Sequence, residues 1–159
     1  MLPRCHKLGE AWVRRRFLLL AAAALLPFGL VPLARAASVV TVIQEDPSAG
    51  HGIKHMRLVV HPLRVRAGQV TFRIKNISKD LTHEVLVLKP PAKPAVMPYS
   101  KKKDRLIESR IDKLGDSGDQ KPGQSYVMTV TLKPGRYLLV CNEPGHYKAG
   151  MHVWLTVTK

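Results

Sequence analysis

Past its first 36 residues this chain predicts an all-β fold, a sandwich or barrel, and three observations lead there. Short segments alternate apolar and polar side chains, as half-buried strands do. Turn signals separate them at Ala67-Gly68, Lys121-Pro122-Gly123 and Lys133-Pro134-Gly135. One stretch alone, residues 89–120, departs from that rhythm.

The opening segment reads as a secretory signal rather than as part of the fold. Arg14-Arg15-Arg16 precedes an apolar run over 17–26, and Ala34-Arg35-Ala36 offers the small residues of a peptidase site. Cleavage is expected after Ala36. The apolar core is broken by Pro27, Gly29 and Pro32, and a membrane-spanning helix needs about 20 apolar residues, so a retained anchor is disfavoured. Arg14-Arg15 followed by Phe17-Leu18 also resembles the twin-arginine export motif. Export places the mature protein in the periplasm.

Residues 37–159 suit one domain around one core. Strands are expected over 38–43, 56–60, 69–76, 84–88, 125–132, 137–140 and 153–157. In the fifth of these, Val127, Thr129 and Thr131 lie opposite Met128, Val130 and Leu132. Residues 89–120 read as a surface insertion, better taken as a decorated connection between strands than as a partner-docking surface or a flap over a metal. It is proline-rich at first, then charged, with Ile107, Ile111 and Leu114 at helical spacing behind Asp104 as a cap. That predicts one short helix packed on the sandwich. Lys101-Lys102-Lys103 reads as a solvated face.

Charge bounds the partners. The chain carries +15, and six of its 26 basic and one of its 11 acidic residues lie in the first 36, which leaves the rest at +10. Such a surface favours an acidic protein partner or an anionic membrane face. Export argues against nucleic acid.

Cysteine usage is sharper. Cys5 leaves with the signal, so Cys141 is a single thiol in an oxidising compartment, where it must be capped, buried or metal-bound. It opens the run Cys141-Asn142-Glu143-Pro144-Gly145-His146-Tyr147-Lys148-Ala149-Gly150-Met151 between two expected strands. A buried, inert thiol would leave His146 and Met151 at their matched spacing unexplained. A thiolate, an imidazole and a thioether are the ligand chemistry of a copper electron-transfer site, given a second imidazole. His83, at a strand start just after a turn, is the candidate. Pro144-Gly145 and Gly150 supply the turns that let one loop converge on a metal.

From about residue 38 to residue 159 the chain resembles the cupredoxins, the type 1 (blue) copper domains of the plastocyanin and azurin family. The residues that carry the resemblance are Asn76, His83-Glu84, and Cys141-Asn142-Glu143-Pro144-Gly145-His146 with Met151. It implies a Greek-key β-sandwich and one copper ion held by His83, Cys141, His146 and Met151. In that family the second His is a partly exposed electron port. Many members carry Asn directly after the first His, where it braces the ligand loops; here that residue is Glu84, and the bracing must be arranged otherwise.

A second group, His51, His55 and Met56, could hold another metal, but reads better as a polar loop entering a strand at Met56. His152 should face away from the main site, and His61 reads as a strand-end surface residue. Two functions stay open: an electron carrier working with redox partner proteins, and a copper-handling chaperone or scavenger. A copper enzyme is disfavoured, because a second, catalytic copper would call for further histidines and no His-x-His occurs.

Overall fold

A computed structural model describes residues 37–46, 56–90 and 97–159 of the chain. The expected signal segment, Cys5, His51 and His55 lie outside the described residues. Within them, two β-sheets face each other over one apolar core, and a small hairpin covers part of the outside.

The first sheet contains β1 (Ser38–Glu45), β2 (Arg57–His61), β4 (Gly68–Asn76) and β9 (Ser125–Leu132), in the order β2-β1-β4-β9. β1 runs parallel to β4, while β2 and β9 pair antiparallel. The alternation read from the sequence orients these strands. Val70, Phe72 and Ile74 of β4, and Met128, Val130 and Leu132 of β9, are buried, and Val127, Thr129 and Thr131 are exposed. Met56, just before β2, has its side chain in the core. His61 ends β2 and is exposed.

The second sheet contains β3 (Arg64–Arg66), β5 (Leu86–Lys89), β8 (Asp112–Asp116), β10 (Gly135–Val140) and β11 (His152–Thr158), in the order β3-β11-β10-β5-β8. Its two central runs, Leu86-Val87-Leu88 and Leu138-Leu139-Val140, are buried throughout instead of alternating. The reason is that both faces are covered. Val87 and Leu139 point into the core, while Leu86, Leu88, Leu138 and Val140 form a second cluster with Leu106 of the insertion.

The insertion departs from the helical expectation. It forms a hairpin of β6 (Tyr99–Ser100) and β7 (Arg105–Leu106), one 3-10 turn at Glu108–Arg110, and then β8. The only helical piece among the described residues is that turn, so the expected short helix is reduced to three residues. Two contacts explain the difference. The free edge of β5 accepts β8 as an antiparallel neighbour, with a register shift between Val87 and Leu88. Asp104, expected as a helix cap, instead sits in the hairpin turn with φ +53°, a conformation that Asp tolerates better than most residues.

Candidate metal centre

His83 is placed by hydrogen bonds that surround its backbone. Its N–H donates to the Gln120 carbonyl at 3.0 Å and its carbonyl accepts from the Gln120 N–H at 2.6 Å. Asn76 fixes the preceding turn: its Nδ2 donates to the carbonyls of Leu81 and Gln120, both at 2.8 Å, and its Oδ1 accepts from the Ser78 N–H at 2.9 Å. Asn76 is fully buried, where unmade hydrogen bonds cost most.

Cys141 follows β10 directly, and Met151 precedes β11 directly. The loop between them closes where the Cys141 N–H donates to the Met151 carbonyl at 3.0 Å. Inside it, the N–H of Met151 donates to the His146 carbonyl at 3.1 Å, and that of His146 to the Glu143 carbonyl at 3.0 Å. Gly145 and Gly150 adopt φ +86° and +100°, which suits glycine and turns the loop back on itself.

This folding brings three donor atoms together. The Nδ1 atoms of His83 and His146 lie 3.1 Å apart, and Cys141 Sγ lies 3.3 Å from His146 Nδ1 and 3.8 Å from His83 Nδ1. A point equidistant from all three lies roughly 2 Å from each, a metal–imidazole bond length. One proton can serve only one of these three contacts; one cation serves all three. His83 and Cys141 are fully buried and His146 is 7% exposed. The Glu84 N–H also points at the sulfur, 3.5 Å away.

The surroundings favour neutral ligands when no metal is bound. Burial pushes the Cys141 thiol up to about 12 and lowers His83 to about 4, the latter aided by the neighbouring His146. Burial lowers His146 as well. Neutral imidazoles are ready to ligate, and a cation must displace the thiol proton as it binds. His83 Nε2 is buried without a hydrogen-bond partner. The donor set, two imidazoles and a thiol in a closed pocket, suits a borderline or soft transition metal.

Three of the four residues singled out in the sequence therefore meet, within 4.8 Å of one another. Met151 is wholly buried at the base of the same loop. His152 is exposed on β11, its ring 5.1 Å from that of Tyr147, and stands apart from the group. Sequence reasoning missed the residues that hold the loop from outside. Asn142 is fully buried: its Oδ1 accepts from the Leu106 N–H at 2.7 Å, and its Nδ2 donates to Glu108 Oε1 at 3.1 Å. Arg105 donates from Nε to the Asn142 carbonyl at 2.8 Å and from Nη2 to Glu84 Oε1 at 3.3 Å. Their partners lie 21 to 37 residues away in sequence, and no local pattern announces them.

No family model and no curated protein matches the chain. Solved structures do. Auracyanin B matches with a TM-score of 0.59 and 23% identity, over 79% of this chain and 91% of that one. Auracyanin A, a "blue" copper protein from Chloroflexus aurantiacus, matches with a TM-score of 0.52 and 21% identity, over 77% of this chain and all of its own. Rusticyanin from Thiobacillus ferrooxidans matches with a TM-score of 0.54 and 20% identity, over 77% and 79%. The chain thus shares its fold with those proteins, the cupredoxin β-sandwich.

Proposed function

We propose that this protein is an exported type 1 copper protein that carries single electrons between partner proteins in the periplasm. The observation that carries the reading is the convergence of His83 Nδ1, His146 Nδ1 and Cys141 Sγ in a buried pocket of a cupredoxin sandwich. Copper held there supplies a one-electron Cu(II)/Cu(I) couple. Met151, buried at the loop base and carrying a soft thioether, would supply the weak fourth ligand. The protein's own part is to hold the donors still. Cys141 and Met151 sit at the ends of β10 and β11, His83 on a backbone pinned by Gln120 and His146 in a loop closed by its own hydrogen bonds, so their positions need change little when the metal changes charge. Small rearrangement suits an electron carrier rather than an enzyme. The net positive charge suits partners with an acidic docking surface.

A Cu(II) titration of the purified protein tests the reading. One equivalent producing an intense blue thiolate-to-copper band is expected, and Cys141→Ala should abolish that band with nearly all Cu(II) affinity of the site. A blue spectrum retained in Cys141→Ala refutes the ligand assignment. Several equivalents bound with little colour would instead mark a copper-handling protein.

A further inference from the structure

We propose that Arg105, delivered by the insertion, is the brace that ties the His83 segment to the Cys141–Met151 loop, so that the insertion is part of the metal centre. The inference rests on the reading of that site as a copper centre. Glu84 directly follows His83, and Asn142 directly follows Cys141. The Arg105 guanidinium reaches both, donating to the Asn142 carbonyl at 2.8 Å and to Glu84 Oε1 at 3.3 Å. A guanidinium is planar with donors in a fixed fork, so two acceptors held by it are held relative to each other.

Arg105 is itself held on both sides. The carbonyl of Asp104 accepts from the Gly145 N–H at 2.7 Å, and the N–H of Leu106 donates to Asn142 Oδ1 at 2.7 Å. Leu106 is 2% exposed, packed into the outer apolar cluster of the second sheet. The hairpin thus grips the ligand loop at two points, and the guanidinium carries that grip across to Glu84. The Glu84 side chain is 7% exposed, and Arg105 is the cation paired with it. This arrangement does the bracing at a position where the chain has Glu.

The test uses Arg105→Met, Arg105→Lys and the double variant Arg105→Met/Glu84→Gln. Two readouts are needed: copper loss to a chelator from the loaded protein, and amide hydrogen exchange in the metal-free protein. For Arg105→Met, copper loss should be about 10–100-fold faster, the usual consequence of removing a group that orients ligands. The Gly145 amide should lose protection, while the Ala67 amide, bonded to the Thr158 carbonyl at the end of β11 away from the ligand loop, keeps its own. Arg105→Lys should fall between, since one ammonium cannot hold both acceptors in a fork. The double variant removes the unpaired carboxylate and should still lose copper as fast as Arg105→Met.

Arg105→Met with wild-type copper loss and wild-type Gly145 protection overturns the proposal. Recovery of the double variant to wild type also overturns it, because Arg105 would then only neutralise Glu84. If the wild-type protein takes up no copper, the functional reading falls, and Gly145 protection in the metal-free protein decides the brace by itself: its loss in Arg105→Met supports the brace, and its retention ends it.

Discussion

Met151 and Asn142 show how differently two residues of one loop can matter. Met151 is fully buried and its backbone closes the loop base onto Cys141. If its thioether is the axial donor, Met151→Leu keeps the blue colour and raises the reduction potential, because a donor that favours Cu(II) is lost. Voltammetry of the two proteins checks this, and a lowered potential would remove Met151 from the ligand set. Asn142 contributes no ligand atom to the triad. Its side chain joins the loop to the insertion through Leu106 and Glu108. Asn142→Ala leaves the buried Leu106 N–H unpaired, so a loss of about 1–3 kcal/mol in chemical denaturation is expected. An unchanged midpoint would mean that water replaces the amide. The sequence singles out Cys141, His146 and Met151 because three metal-ligating residue types stand at short spacing on one loop. Asn142 was not legible, because its partners are set by a hairpin distant along the chain.

At the scale of elements, the strands were the legible part and the insertion was not. Alternation placed β4 and β9 to within a residue, because a half-buried strand leaves a period of two in its own sequence. The spacing of Ile107, Ile111 and Leu114 fits a helix equally well, but only Glu108–Arg110 turns, as a 3-10 helix, and Leu114 lies in β8, since the edge of β5 was available to pair. Ile111 does pack against the outer cluster, whereas Leu114 stays 38% exposed. Gly115 marks the cost of this placement. A Cβ there would meet Val130 Cγ2 at 2.7 Å, and β-branched Val130 has little freedom to move. Gly115→Ala should therefore destabilise the protein by about 1–3 kcal/mol through overpacking. Thermal unfolding measures it, and a more stable variant would show that β8 shifts freely.

Across the whole molecule, the positive charge shapes encounters. Basic side chains at the hairpin tip, Lys101, Lys102 and Lys103, are exposed, as is Lys148 of the ligand loop, although Lys148 pairs with Asp104 at 3.1 Å. Oxidation of the copper(I) protein by an anionic complex such as hexacyanoferrate(III) should slow as salt rises from about 0.01 to 0.15 M, where the screening length falls from about 30 to 8 Å. Stopped-flow rates that stay flat or rise with salt would count against steering by this surface. The sequence by itself determined the class of fold and brought forward the residues that meet in the buried cluster. Both are local: alternation and a loop of soft ligands leave their marks within a dozen residues. Only the tertiary structure decided that both faces of β5 and β10 are covered, that residues 112–116 form a strand, and that Arg105 spans Glu84 and Asn142. Those outcomes depend on hydrogen bonds and packing between segments far apart in sequence, and such contacts are settled by which edges and acceptors the folded sandwich leaves open.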